Sequence, residues 1–221
     1  MSTLQFIGYT GVVPGNDVTP NRRGMRSRER VLDAAERVMA TEGFDAATVA
    51  RVVEVSGVPL SSVYHYYGSK DGVLLAVMER GAGRFFADVP IPDHRLGSAV
   101  AHLRAVVTGA IYALDRHPDF LRLLVAFAVQ PRRDDGGEVA DVVAAVRSQA
   151  LAILRGQIAL AFGDDRRSRG TDRLARFALA AFDGAFVASC ADRNTTLAAL
   201  LAPLPDALVA ARRAGATGRS S

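Results

Sequence analysis

The sequence has no tryptophan, a single cysteine and, among 27 basic residues, a single lysine. One cysteine excludes a fold held by disulfide bonds and suits a reducing cytoplasm, which is the localisation we expect. The longest apolar run, 123–129, is far shorter than the roughly 18 residues that a membrane-spanning helix needs. Residues 1–20 have neither a basic segment nor a long apolar block. We therefore predict no signal peptide and no membrane partner.

Motifs that mark common catalytic chemistries are also missing. The chain contains no HExxH zinc motif, no GxSxG nucleophile elbow and no Walker loop for phosphate. Cys190 has no evident base nearby in the sequence, which favours an inert thiol over a nucleophile. His94, His102 and His117 do not have a spacing typical of metal ligands. We therefore expect neither enzymatic activity nor a metal or other cofactor.

Apolar residues at helical spacing are the main feature that is present. Hydrophobic residues make up 49% of the chain and charged residues 23%, a composition typical of a globular protein. No strand-like alternation and no internal repeat is evident, so the sequence predicts an all-α fold of about nine helices. The predicted helices are 26–42, 48–55, 59–66, 69–87, 96–116, 119–129, 139–162, 171–191 and 196–213.

Glycine and proline residues divide these helices into segments. We predict a flexible N-terminal arm over 1–21, a small three-helix domain with a connecting helix over 22–86, a larger helical domain over 87–213 and a disordered tail over 214–221. Pro203 and Pro205 lack the amide donor that a continuous helix needs, so they predict a kink or a break in the last helix.

Five arginines lie between residues 22 and 30 and form the most basic stretch of the chain. A cationic segment of this kind attracts polyanions through counterion release. A solvated basic tail and a surface for anionic lipid are the alternatives. The acidic residues within the first predicted helix disfavour the lipid hypothesis.

The segment 48–70, TVARVVEVSGVPLSSVYHYYGSK, contains two short predicted helices joined by a tight turn at Gly57. This is the arrangement of a helix-turn-helix motif, whose second helix enters the major groove of DNA. Lys70 lies in the first turn of the next helix, where its ammonium and the unpaired backbone N–H groups would hold one phosphate. The residues predicted to contact DNA are Thr48, Arg51, Leu60, Ser61, Ser62, Tyr64, His65 and Lys70.

These residues resemble the DNA-binding domain of the TetR family of bacterial transcriptional regulators. The family pattern is matched at Thr48, Val52, Gly57, Val58, Ser62, Val63, Tyr64, Tyr66, Ser69, Lys70 and Asp71. Two departures stand out: Val53 replaces the usual alanine, and residues 59–61 read Pro-Leu-Ser where the family often has Ser-Lys-Gly. The second change removes a lysine and adds an apolar side chain suited to a thymine methyl group, so we expect an unusual operator preference.

The resemblance implies a homodimer formed through about 171–213, whose two recognition helices enter successive major grooves of a palindromic double-stranded DNA operator. It also implies that the larger domain binds an apolar or amphipathic small-molecule effector. The candidate effector contacts are His102, Tyr112, Phe127, Gln130, Gln149 and Ile153. We expect a repressor that leaves its operator when the effector binds. The alternative is an activator, or a ligand-independent regulator of the same fold.

Overall fold

The computed structural model describes residues 22–129, 137–192 and 194–217, with side chains described up to residue 214. Within these ranges the chain forms helices and no strand, which confirms the predicted all-α class. The helices are α1 Arg22–Glu42, α2 Val49–Ser56, α3 Leu60–Tyr67, α4 Lys70–Asp88, α5 Ala99–Arg116, α6 Pro118–Ala128, α7 Glu138–Phe162, α8 Arg169–Ala191, α9 Leu197–Leu201 and α10 Leu204–Thr217. The predicted arm, Gln130 and residues 218–221 of the predicted tail lie outside the described residues.

Helices α1, α2 and α3 form a small N-terminal domain around the apolar stripe of α1. Val31, Ala35 and Val38 of this stripe are fully or almost fully buried. Helix α2 contributes Val52 and α3 contributes Val63 to the same core. Because α3 supplies only this one fully buried side chain, most of its surface remains outside the core.

Helix α4 connects this domain to the rest of the protein. Its Arg80 guanidinium contacts three carboxylates of α1, those of Glu29, Asp33 and Glu36, at N–O distances of 3.0, 2.7 and 2.8 Å. Further along α4, Gly81 permits a close approach of α6. The helix runs to Asp88 and therefore crosses the predicted domain boundary between residues 86 and 87.

The larger domain is built from α5 to α10, with α7 and α8 as its longest helices. Helix α8 has 23 residues, and its most apolar 18-residue window has a mean hydropathy of 1.4, so it is the one helix in the described ranges that could cross a membrane by length and composition. It packs against α7, α9 and α10. Its Leu174, Ala178 and Phe182 are buried there, as expected for a core helix of a helical domain.

The C-terminal helix is interrupted, as the two prolines predicted. Helix α9 ends at Leu201 and α10 begins at Leu204, with Pro203 in the turn between them. Two helices extend four residues beyond their predicted ranges. Helix α1 begins at Arg22 instead of residue 26, and α10 continues to Thr217, four residues into the predicted tail. Helix ends of this kind lack a strong start or stop signal, which makes them hard to place from sequence.

Candidate nucleic-acid interface and ligand cavity

The turn between α2 and α3 is held by several backbone contacts. Gly57 has φ of 63°, and its N–H donates to the Val53 carbonyl oxygen at 2.8 Å. The buried Ser56 hydroxyl accepts from the Val58 N–H at 3.2 Å, and the Arg30 guanidinium donates to the Ser56 carbonyl oxygen. These bonds determine the angle at which α3 leaves the turn.

Most of the predicted DNA contacts on α3 lie on one exposed face of the helix. Its exposed side chains include Leu60, Ser61, Tyr64 and His65. These residues lie at positions i, i+1, i+4 and i+5, so they share one side of the helix. The Leu60 and Tyr64 residues are about half exposed although both are largely apolar. Ser62 is partly buried, beside the core residue Val63.

Lys70 is the first residue of α4 and lies next to the end of α3, as predicted. Its ammonium donates to the Asp45 carbonyl oxygen at 3.2 Å and lies 4.3 Å from the centroid of the Phe44 ring. These two contacts hold the charge at the N-terminus of α4. Ser69 caps this terminus, since its hydroxyl accepts from the Gly72 N–H at 3.0 Å.

Arg51 has partners within the protein that sequence reasoning did not anticipate. Its guanidinium lies 3.0 Å from a Glu42 oxygen and 2.8 Å from a Glu54 oxygen. Both contacts raise the pKa of Arg51 above its usual value, with Glu54 having the larger influence. Its backbone N–H donates to the Thr48 hydroxyl at 3.1 Å, so Thr48 acts as the N-cap of α2. A phosphate would have to compete with two carboxylates for this arginine.

The arginine-rich start of α1 lies beside the recognition helix. The Arg28 guanidinium lies 5.0 Å from the centroid of the Tyr66 ring, and the Tyr67 hydroxyl donates to the Arg28 carbonyl oxygen at 3.1 Å. Cations on α1 and α4 therefore flank the exposed face of α3. A helix face with flanking cations is the arrangement that a DNA duplex requires.

Residues 31–77, which span this motif, match the family model described as bacterial regulatory proteins, tetR family. The N-terminal domain of this chain therefore matches the TetR family. The transcriptional repressor AcnR of Corynebacterium glutamicum is 34% identical over 58 residues, which is 26% of this chain and 31% of that repressor. The chain thus matches about a third of the length of the AcnR repressors. The regulator BetI of Rhizobium meliloti is 26% identical over 162 residues, covering 72% of this chain and 76% of BetI.

The likeness of fold extends beyond the N-terminal domain. The crystal structure of the MbdR regulator from Azoarcus sp. CIB superimposes with a TM-score of 0.65 over 82% of this chain and 96% of MbdR, at 21% sequence identity. A TetR-family regulator from Streptomyces coelicolor gives a TM-score of 0.66 over 85% of this chain and 80% of that chain, at 18% identity. The small and the large helical domains together therefore have a TetR-type fold.

An apolar cavity of about 110 Å³ lies in the larger domain. Helices α4, α5, α6, α7 and α8 and the segment after α4 all contribute to its wall. The side chains that line it are almost all apolar; they include Phe85, Phe86, Ile91, Val106, Ala110, Leu114, Leu121, Val125, Val146, Ile153, Leu179, Phe182 and Phe186. Within the described ranges, no group of three histidine, cysteine or acidic residues is placed to hold a metal ion.

Of the five predicted effector contacts among the described residues, only Ile153 lines this cavity. Gln130 is outside the described residues, and Gln149 is half-buried elsewhere on α7. Phe127 packs edge-on against Phe44 with ring centroids 5.5 Å apart, so it joins α6 to the small domain instead.

Tyr112 and His102 lie on α5 but do not reach the cavity. Tyr112 is 53% exposed, and Arg116 lies 5.3 Å from the centroid of its ring. Val106, Ala110 and Leu114 line the cavity at every fourth position of α5. Tyr112 is two positions from Ala110 and from Leu114, so it points to the opposite side of the helix. His102 is fully buried, and its Nδ1 accepts from the Leu96 N–H at 3.2 Å.

The charged residues of the cavity wall were not predicted. Arg147 of α7 and Asp183 of α8 both line it, and two guanidinium nitrogens lie 3.3 and 2.7 Å from the carboxylate oxygens. Gln157 also lines the cavity, and its amide donates to the Pro92 carbonyl oxygen at 3.1 Å. The sequence carried one signal: Asp183 lies in an otherwise apolar stretch of α8, where a charged residue needs a partner.

His102 is expected to make folding stability depend on pH. Burial lowers the pKa of this histidine below its usual value of 6.5, and its Nδ1 must stay unprotonated to accept from Leu96. The unfolded chain therefore binds the proton more readily. The stabilisation is complete above about pH 6.5 and decreases as the pH falls towards the lowered folded-state pKa.

We predict that His102→Asn removes this pH dependence, because asparagine keeps an acceptor near the Nδ1 position but does not titrate. The measurement is the melting temperature of both proteins at about pH 7.5 and about pH 5.5. The decrease in melting temperature between the higher and the lower pH should be smaller in the variant. An equal loss in both proteins would assign the pH dependence to other groups.

Proposed function

We propose that this TetR-family protein is a homodimeric, cytoplasmic repressor that binds a palindromic DNA operator through α3 and leaves it when a small molecule occupies the cavity. The observation that carries the proposal is the exposed face of α3, where Leu60, Ser61, Tyr64 and His65 lie together beside the cation of Lys70. Domain limits near 22–86 for DNA binding and 87–213 for effector binding and dimerisation form part of the proposal.

The side chains on this face suit both parts of DNA recognition. Hydroxyl and imidazole groups form hydrogen bonds with base edges and phosphates, and the Leu60 side chain fits a thymine methyl group. Lys70 supplies a cation at a helix N-terminus, where backbone N–H groups also favour a phosphate. Arg51 is a weaker candidate than Lys70, because Glu42 and Glu54 already neutralise it.

Helix α4 provides the physical connection between the cavity and the DNA-binding face. Lys70 is its first residue, and Phe85 and Phe86 near its other end line the cavity. Its 19 residues span about 28 Å at 1.5 Å per residue. A ligand that displaces the two phenylalanines would therefore shift the position of α3. It can change DNA affinity only as far as it prefers one conformation over the other.

The decisive test is selection of bound sequences from a pool of random DNA duplexes, followed by fluorescence anisotropy on the enriched sequence. We expect a palindrome, bound by a dimer, and release on addition of a cavity ligand. No enrichment at low salt would refute DNA binding. Activation of a reporter gene from the same palindrome would favour the activator alternative, and binding insensitive to every cavity ligand would favour ligand-independent regulation.

Replacement of Lys70 by methionine tests the phosphate contact. Lys70→Met keeps an unbranched side chain against the Phe44 ring but removes the charge, so the fold should be unaffected. We expect weaker binding to all sequences and a salt dependence, log K against log [salt], that is less steep by about 0.9 per lost contact. Anisotropy titrations at several salt concentrations measure this slope. An unchanged slope would show that Lys70 does not contact a phosphate.

Helices α8 and α9 carry the surface that we propose for dimerisation. Phe177, Val187 and Leu200 are 46%, 49% and 38% exposed although their side chains are apolar. Exposed apolar side chains on neighbouring helices are typical of an interface between identical subunits.

We predict that Phe177→Asp converts the dimer to a monomer, because it places a charge in this apolar surface. Sedimentation equilibrium gives the mass directly. Tyr112→Asp is the matched control, since Tyr112 is similarly exposed on α5, outside the proposed interface. A Phe177→Asp protein that remains dimeric at low micromolar concentration would place the interface elsewhere.

A further inference from the structure

The charged pair at the cavity wall lies between two different spaces. Arg147 and Leu179 line the apolar cavity on one side. The same two residues line an open groove of about 420 Å³ on the other side, between α7 and α8. The Arg147 and Asp183 side chains are each 36% exposed, so solvent reaches the ion pair, and Arg147 is its member that lines the groove. Arg147 therefore lies at the boundary between an apolar interior and the surface.

The groove carries an excess of positive charge. Besides Arg147 it is lined by Arg155 and Arg176, which both contact the single carboxylate of Asp172. Nε of Arg155 and Nε of Arg176 lie 2.7 and 2.8 Å from its two oxygens. Three guanidinium groups thus have two carboxylates as partners, and the potential of the groove attracts anions.

From this arrangement we infer that the ligand of the cavity is an amphipathic carboxylate, with its apolar part among the aromatic and aliphatic side chains and its anionic group on Arg147. The inference rests on the proposed ligand-responsive function. Arg147 already presents its guanidinium to a carboxylate in the two-nitrogen geometry that such a group prefers. A ligand carboxylate would take the place of Asp183 in that contact.

If the ligand replaces Asp183 in this contact, substitutions of Arg147 and of Asp183 should change ligand affinity in opposite directions. Arg147→Gln removes the cation that the ligand requires, whereas Asp183→Asn removes the carboxylate that competes with the ligand. Both substitutions break the same salt bridge, so a purely structural role would make them change ligand affinity in the same direction. Changes of ligand affinity in opposite directions in the two variants would therefore indicate that Arg147 binds the anionic group of the ligand.

The test is isothermal titration calorimetry of the full-length protein, without DNA, against butanoate, hexanoate, octanoate and phenylacetate. Octanol and octylammonium serve as neutral and cationic counterparts of octanoate. We expect at least one carboxylate to bind, and to bind more tightly than its neutral counterpart. Arg147→Gln should weaken that carboxylate at least about tenfold, the change expected for one charge-assisted hydrogen-bonded contact. Asp183→Asn should strengthen it, and octanol should respond little to either substitution.

Arg104→Gln is the control, because Arg104 lies on α5 in an exposed pair with Asp206, 3.7 Å apart, and lines neither space. Melting curves of all variants establish that they are folded, and Arg147→Lys should recover part of the carboxylate affinity. Binding of no carboxylate, equal binding of octanoate and octanol, or weaker carboxylate binding in Asp183→Asn would each overturn the inference. DNA binding by the same preparations, measured without ligand, tests the proposed regulator separately.

Discussion

Replacing Ser61 by aspartate is expected to weaken operator binding by at least about 100-fold without unfolding the protein. Ser61 is exposed on α3, one position after its first residue, and shares a face with Leu60 and Tyr64. A carboxylate there would face DNA phosphates, and like charges brought together cost several kcal/mol, so we expect a loss of affinity of at least about 100-fold. The helix itself should tolerate the change, because an acid in the first turn interacts favourably with the helix dipole.

The measurement is anisotropy on the selected operator, with circular dichroism to show that helix content is unchanged. Ala101→Asp provides the matched control. It makes the same change in net charge at an exposed position in the first turn of α5, in the larger domain. The control should bind the operator within a few-fold of the original protein. An equal loss of operator affinity in both variants would indicate a general effect of net charge. If neither variant loses affinity, the exposed face of α3 is not part of the DNA interface.

Alanine at Gly81 is expected to destabilise the protein strongly. A Cβ atom added there would lie 2.3 Å from Cδ2 of Phe120, a side chain that is completely buried. Overpacking of a rigid core costs about 1–3 kcal/mol, so we expect the free energy of unfolding to fall by about 2 kcal/mol. The change also affects function, because α4 packs against α6 at this point and carries the cavity residues Phe85 and Phe86 one turn later.

Gly83 supplies the control two residues away on the same helix. It is exposed, and an added Cβ would meet no atom within 4 Å. Gly83→Ala should therefore raise stability by about 0.8 kcal/mol through helix propensity alone. Urea denaturation of the two variants should give changes of opposite sign. If Gly81→Ala is also stabilising, Phe120 can move aside and the contact between α4 and α6 is not tight.

The helix-turn-helix region was predictable because its signals are local. Thr48 and Ser69 are residue types that commonly cap helices, and they are the N-caps of α2 and α4. Gly57 has the positive φ that the predicted tight turn needs. The same local rules place Val63 in the core and Tyr64 outside it, since neighbouring residues on a helix point in different directions. The break at Pro203 follows from the missing amide donor in the same way.

The effector contacts were not predictable by these rules. Tyr112 and Phe127 are large side chains on the expected helices, yet one faces solvent and the other joins α6 to the small domain. Arg147 and Asp183 meet across two helices and are 36 residues apart in the sequence. Nothing in the sequence near either residue indicates its partner.

The sequence by itself determined the helical class, the recognition helix with its exposed face and the position of Lys70, because hydrophobic period, capping residues and turn glycines act within a few residues. Only the tertiary structure decided which sides of α5, α6 and α7 surround the cavity, and that Arg51 pairs with Glu42 and Glu54. The physical reason is that the rotation of a helix about its own axis depends on packing against helices that are distant in the chain, and even a small rotation exchanges the side chains that face inward.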